Sequence, residues 1–442
     1  MTWWRMAMAP SWMFVVATVA AACARHDTRP TGDVQPQPPI RPESCRDVPP
    51  GALHAAVDTA PDNATLCLLP GIHAGPIRID RRLTLWGPRT AVIRSTGTGT
   101  TIDVTANVVQ LLGFTVDGSG NRFDQQDAAV RIEGNDVRIE GLRIEHALFG
   151  IWTERSTRIT VRANEIHGKE EPTLGLRGDG IRLWETYDSV VERNIVRDSR
   201  DVVVWYSSRN HIIGNTVERS RYGTHFMYSR DVVARDNRYV DNVVGIFVMY
   251  GQNVFVEDNL IAGSAGAAGM GLGLKEAGNV VALRNVFVQN TTGIYLDTSP
   301  LNRDDHNLFA QNAFYFSTAA VIFHGSQVGN AFFENDFGNN RTQVAVEGGS
   351  DALGTRWSKN HWSDYAGYDL DGDGIGDIPY ELRSLSGDLM RRAPAVEFFR
   401  GTPALDLADA VSRIIPLFAP RRILVDRAPR MIASGKQVAH AR

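Results

Sequence analysis

The sequence predicts an all-β chain wound as a right-handed parallel β-helix, a three-sided solenoid of about 22 residues per coil, and three observations lead to it. Asparagine recurs at Asn164, Asn194, Asn215, Asn237, Asn259, Asn285, Asn307 and Asn335, with separations of 30, 21, 22, 22, 26, 22 and 28 residues. After nearly every one comes a short apolar strand and then a second strand led by glycine. These begin Gly150-Ile-Trp, Gly180-Ile-Arg-Leu-Trp, Gly223-Thr-His-Phe-Met-Tyr, Gly245-Ile-Phe-Val-Met-Tyr, Gly271-Leu-Gly-Leu-Lys and Gly293-Ile-Tyr-Leu-Asp. Val202-Val-Val-Trp-Tyr and Val321-Ile-Phe-His keep the strand without the glycine. The third observation is composition: 41 glycines and 22% charged residues suit strands and turns, not long helices. The Leu-x-x-Leu-x-Leu pattern of a leucine-rich solenoid is missing.

Along the chain, Met6 to Ala22 is an apolar stretch preceded by Arg5 and ended by small residues, as in a secretory signal peptide over 1–22; a retained N-terminal anchor is the other reading. Cys23, directly after Ala20-Ala21-Ala22, resembles a lipidation site, with Ala20 where leucine is usual. Residues 23–43 are polar and proline-rich and read as a semi-extended tether. With Cys23 in the targeting segment, Cys45 and Cys67 form an even pair in a disulfide-permitting compartment and are expected to be bonded. Leu53 to Ala60 reads as a short helix covering the first turn of the solenoid. The β-helix is expected over 44–345, with weak turns at Gly113 and Gly141 extending the repeat backwards, followed by an Asp-rich loop segment over 346–385 and a basic tail over 386–442.

A three-strand coil with alternating side chains sends every second residue of a strand inward. The recurring asparagines then stack at one turn and hydrogen-bond up the pile, a structural task. If Ile181, Leu183, Phe226, Ile246, Val248, Leu272, Leu274, Ile294 and Leu296 point inward, their neighbours share one outer face. That face carries Arg182, Trp184, Trp205, His225, Met227, Phe247, Met249, Lys275, Tyr295, Asp297 and His324. Met227 and Met249 fall at equivalent positions on adjacent coils, about 4.8 Å apart, with His225 two residues before Met227 and about 7 Å along the strand. Thioethers with imidazole suit Cu(I), so His225, Met227, Met249 and His324 are the copper candidates. A stripe of methionine and aromatic side chains equally suits packing under a loop or partner.

Trp184, Trp205, Phe247 and Tyr295 also admit a reading as a platform for sugar rings, with Glu185, Glu276 and Asp297 beside them. Glu185 and Glu276 are several coils apart, however, which exceeds the roughly 5–10 Å that a glycosidase pair needs. Asp369-Leu-Asp371-Gly-Asp373-Gly374-Ile-Gly-Asp377 resembles a calcium loop with Asp369, Asp371, Asp373 and Asp377 as ligands; Glu381, at position thirteen, excludes a complete EF-hand, and an Asp-stabilised turn is the alternative. The tail beyond residue 401 holds seven Lys and Arg against three Asp; it suits docking on a membrane or partner, or a cap over the last coil. A net charge of −4 argues against a nucleic-acid partner.

Several segments together resemble the NosD family: Arg221-Tyr-Gly-Thr-His-Phe-Met-Tyr-Ser229, Gly245-Ile-Phe-Val-Met-Tyr250, Gly271-Leu-Gly-Leu-Lys-Glu276, and Trp362-Ser-Asp-Tyr-Ala-Gly-Tyr-Asp-Leu-Asp-Gly-Asp-Gly-Ile-Gly-Asp377. The likeness runs from about Cys45 to Ala404. It implies a periplasmic, non-enzymatic β-helix acting with the membrane subunit of an ABC transporter and a copper-carrying lipoprotein, NosL, in building the copper centres of the nitrous oxide reductase apoprotein. The face comprising Trp184, Glu185, Trp205, Phe247, Lys275, Glu276, Tyr295 and Asp297 around the copper candidates would then be a docking or transfer surface. The resemblance also implies transient copper and membrane association through a partner; a lipid on Cys23, read from the sequence itself, is the other route to the membrane. The lipidation-like Cys23 with its tether departs from the family pattern and admits a different client. A carbohydrate-binding or carbohydrate-modifying β-helix is the second reading. Against it, the Asp-Pro-His-Asp motif of the mannuronan epimerases is replaced by Thr224-His225-Phe226-Met227.

Overall fold

The computed structural model describes residues 38–434 apart from 170, 172, 326–327, 348–349, 400–401 and 415–419. The leader, Cys23 and the tether up to residue 37 lie outside the described residues. The chain winds as a right-handed parallel β-helix with three parallel sheets of 14, 12 and 13 strands, and a separate two-stranded sheet follows. Each strand pairs with strands one coil before and one coil after it, so every rung is a long-range contact. No helix among the described residues is long and apolar enough to cross a membrane.

Alternation builds the interior. Ile181, Leu183, Phe226, Ile246, Val248, Leu272, Leu274, Ile294 and Leu296 are each at most 1% exposed. Toward the C-terminal end the filling turns aromatic: Phe287, Phe314, Phe337, Trp362 and Tyr380 stack in succession at centroid distances of 4.9, 5.0, 4.3 and 4.4 Å. The leading glycines have a steric cause. A Cβ on Gly223 would come within 2.5 Å of the Gly245 carbonyl oxygen, and one on Gly245 within 2.6 Å of that of Gly271. Between these coils the approach is too close for a Cβ, whereas Ala129 and Ala320 are accommodated at the same phase on other coils.

The asparagine ladder is continuous. Asn164 donates through its backbone N–H and Nδ2 to Asn194 Oδ1, and the pattern repeats through Asn215, Asn237, Asn259, Asn285, Asn312, Asn335 and Asn360. Each rung leaves a buried amide satisfied on both sides. Asn307 is not on this ladder. It sits at another corner, where it accepts the Val280 N–H and donates to Asn330. The insertion of Leu301 to Asp305 moved Asn307 into the expected phase by number, while Asn312 occupies the rung. The parallel strands continue past residue 345 to Arg356–Ser358 and His361–Trp362.

Both ends are closed. At the first coil a helix, Leu53–Asp58, buries Leu53, Ala56 and Val57. Beside it, Cys45 and Cys67 form a disulfide with a Cα separation of 5.7 Å. Residues before Cys45 lie against the coils, Pro39 accepting a 2.9 Å hydrogen bond from Trp86 Nε1. At the other end the strands Tyr380–Ser384 and Arg421–Asp426 form an antiparallel pair that buries Ile423 and Leu424. Asp426 Oδ2 accepts the Asn360 N–H, Asn360 Nδ2 and Trp362 Nε1 at 3.1, 3.0 and 3.3 Å, ending the ladder on a carboxylate. Beyond it Arg430 bonds Lys359 O at 2.7 Å and pairs with Asp336. This part of the tail caps the last coil.

Candidate functional site

The outer face of the 12-stranded sheet gathers most of the candidate residues in two columns. Arg182, Val203, His225, Phe247, Gly273, Tyr295 and Ile322 share one rung position. Two residues on, Trp184, Trp205, Met227, Met249, Lys275, Asp297 and His324 share the next. Met227 and Met249 are direct register partners, both half-buried. Their strands are about 4.8 Å apart, and His225 precedes Met227 by about 7 Å on the same face. Two thioethers on adjacent rungs and an imidazole two residues along the same face make up a donor set of the kind a soft ion would take.

His225 is only 7% exposed although it points outward. A register shift between Asp201 and Val203 puts Tyr222 beside it, and the ring is enclosed by Tyr222 at 4.9 Å and Phe247 at 5.8 Å. Nδ1 lies 3.9 Å from Asp201 Oδ2, an electrostatic contact longer than a hydrogen bond. Nε2 is buried with no hydrogen-bond partner among the described residues. Burial pushes the Asp201 carboxyl up, but His225 and the Arg221 guanidinium outweigh it and hold it below the usual carboxylate range.

His324 does not join this set. It is three strands beyond Met249, about 14 Å at the interstrand spacing, and its Nδ1 contacts Glu347 at 2.6 Å. One ion cannot take both, because ladder position and not residue type sets the distance. Lys275 stands between them as the rung next to Met249.

Arg182 packs between two indoles, 4.4 Å over Trp152 and 4.8 Å over Trp205, with Nη1 on Asp179 at 2.9 Å. Trp184 stacks on Trp205 at 5.8 Å and 19°. At the adjoining corner, residues with positive φ carry Glu185, Tyr206, Tyr228, Tyr250 and Glu276 in one column. Tyr206, Tyr228 and Tyr250 stack face to face at 5.0 and 4.7 Å. In these stacks the faces of neighbouring rings cover one another. Glu185 and Glu276 are four rungs apart, about 19 Å.

Sequence reasoning missed Trp152, Asp179, Asp201, Tyr222 and the tyrosine column. A signal for the column was present: Trp205-Tyr206, Met227-Tyr228 and Met249-Tyr250 recur at the coil period. In the Asp-rich loop, Asp369, Asp371 and Asp373 bring carboxylate oxygens within 4.8 Å of one another. Asp377 is not in that group and accepts the Leu370 N–H at 2.7 Å. Asp369 accepts the Gly372 and Gly374 N–H groups at 2.7 and 2.9 Å, so the same carboxylate holds the turn.

Residues 163–367, which include the His225, Met227 and Met249 coils, match the family described as "Periplasmic copper-binding protein (NosD)". A Pseudomonas aeruginosa protein named "Probable ABC transporter binding protein NosD" is 28% identical over 390 residues, 79% of this chain and 84% of the relative. A Stutzerimonas stutzeri protein of the same name is 28% identical over 384 residues, 81% and 85% respectively. Among solved structures, the A-module of the Azotobacter vinelandii mannuronan C-5 epimerase AlgE6 covers 69% of this chain and 94% of its own, with a TM-score of 0.53 at 16% identity. The catalytic domain of a GH87 alpha-1,3-glucanase covers 74% and 71%, with a TM-score of 0.54 at 12% identity. Those two likenesses concern the fold alone. Over residues 163–367, and along about four fifths of its length in the two relatives, the chain is similar to the NosD family.

Proposed function

We propose that the protein is a non-enzymatic, extracytoplasmic scaffold that receives and hands over copper, working with an ABC transporter and a copper-carrying lipoprotein in maturing nitrous oxide reductase. The observation that carries the reading is the orphaned, buried Nε2 of His225 beside the register-paired Met227 and Met249. A buried imidazole nitrogen without a partner is costly, and a soft ion shared with two thioethers relieves that cost. The relatives' names, which mention copper or an ABC transporter, support the setting. The surrounding Trp184, Trp205, Phe247 and Tyr295, with Glu185, Lys275, Glu276 and Asp297, form the partner-facing rim. Competition titration of Cu(I) against a chromophoric chelator tests the reading. A Met227→Ala, Met249→Ala double variant and a His225→Ala variant should each lose affinity by roughly tenfold or more, about 1.4 kcal/mol. Unchanged affinity in both would remove this face as the copper site. Loss of copper affinity with an intact reductase cofactor in cells would instead point to another client.

A further inference from the structure

The segment before the first strand is neither strand nor helix, yet it is seated on the coils. From Pro38 to Cys45 the half-buried residues are Pro39, Pro42 and Cys45, every third one, and the residues between them are exposed. A period of three is that of a polyproline II helix with one edge laid on a surface. The residue types favour it. A proline ring fixes φ at about −65°, and the residue before a proline is pushed toward extended backbone. Pro36, Pro39 and Pro42 stand three apart in the sequence. The reach agrees as well: the Gly141 coil lies four rungs beyond the strand Arg46–Val48, about 19 Å, and six residues of polyproline II also span about 19 Å.

The surface beneath is shaped for such a segment. Cys67, Trp86 and Leu112 are register partners on successive coils. Cys67 and Leu112 stand outside the hydrophobic core, yet they are only 0% and 8% exposed. Trp86 Nε1 donates to the Pro39 carbonyl at 2.9 Å, and the Arg41 guanidinium lies 5.9 Å from the same indole. Beside this column the chain turns at Gly141 with φ +69°. A Cβ there would come within 2.4 Å of Pro39 Cδ and 3.1 Å of Pro38 Cα, so the bare turn is what admits the two prolines. The disulfide from Cys45 to Cys67 ties the other end of the segment to the same column. An aromatic-lined groove is a general means of holding a proline-rich segment, which is already extended and loses little entropy on docking.

We propose that this corner is a binding site for a polyproline II segment of the form Pro-x-x-Pro, filled in cis by Pro39 and Pro42. It carries the N-terminal segment up the side of the solenoid to the Gly141 coil and does not leave it free at the cap. The site lies on a different sheet from Met227 and Met249 and is independent of the copper reading.

Nuclear magnetic resonance of the full chain labelled at its indole nitrogens tests this, with the Trp86 signal assigned by its absence in Trp86→Phe. In the wild type the Trp86 N–H should exchange with solvent roughly tenfold more slowly than in a Pro39→Gly, Pro42→Gly variant, which loosens the segment. Both substitutions lie outside the coils and should leave the circular dichroism unchanged. The peptide Pro-Gln-Pro-Pro-Ile-Arg-Pro-Glu-Ser, which repeats residues 36–44, should restore slow exchange when added to the variant at millimolar concentration. The same peptide with alanine at its three in-phase prolines should not. Equal exchange in wild type and variant, or no effect of the peptide, would overturn the site; equal action of the two peptides would overturn its preference for polyproline.

Discussion

Asn360 ends the asparagine ladder by donating both its backbone N–H and its side-chain amide to Asp426 Oδ2, at 3.1 and 3.0 Å. A further asparagine would itself need an acceptor above it; a carboxylate accepts without needing one. Trp362 Nε1 uses the same oxygen. Asp426→Ala leaves three buried donors unpaired and should cost about 3 kcal/mol. Asp426→Asn, which can keep one acceptor oxygen in place, should cost less. Hydrogen exchange should show the loss concentrated in the last coils; a loss spread evenly to the first coil would contradict the capping role.

The glycine edge makes a second prediction. A Cβ on Gly245 meets the Gly271 carbonyl at 2.6 Å and Ile261 Cγ2 at 2.4 Å. Backbone on one side and a packed core residue on the other leave little room to yield. Gly245→Ala should destabilise by about 1–3 kcal/mol through overpacking. Urea unfolding would measure it, and a midpoint equal to that of the wild type would show that the coils can separate at this edge at no cost.

Cys45 and Cys67 are separated by 22 positions in sequence, a loop for which chain entropy predicts roughly 3 kcal/mol of stabilisation. The bond pins the first strand, Arg46–Val48, to Ala64–Leu68. A Cys45→Ser, Cys67→Ser variant should therefore open its N-terminal coils first, seen as proteolysis confined to that end. Equal protease resistance of reduced and oxidised protein would remove the disulfide from the stability of the cap.

Asp201 gives a pH dependence. Its folded value lies below that of the unfolded chain, so the ionised carboxylate stabilises the fold fully above about pH 4. That contribution is lost as the pH falls through the lower folded value. Asp201→Asn should consequently destabilise by about 1–3 kcal/mol at pH 7 and by clearly less in strong acid. Denaturant midpoints at both ends of the range decide it; a constant difference would mean that the amide, not the charge, is what matters.

The sequence revealed the repeating parts best. Periodic Asn and the alternating Ile, Leu and Val residues determine winding and inside from outside, because a parallel ladder repeats the same environment at the same phase. That logic placed Met227 opposite Met249. It failed where insertions break the count: Asn307 fits the spacing, yet Asn312 fills the rung. It failed again for His324, which shares a column with the methionines but at a distance that only the number of intervening rungs reveals. Tyr222 and Asp201 escaped because a register shift, invisible in residue counts, brings them to His225.

The antiparallel pair over the last coil has one more effect. A stack of parallel rungs is a template on which any further strand can add, so an uncovered terminus invites chain-to-chain polymerisation in a crowded compartment. By reversing strand direction and presenting Arg421, Arg422 and Glu381 outward, the closing strand pair replaces that growing tip with a charged surface. Variants that loosen it should betray themselves first as fibres or high-mass species, before any measurable loss of the coils themselves.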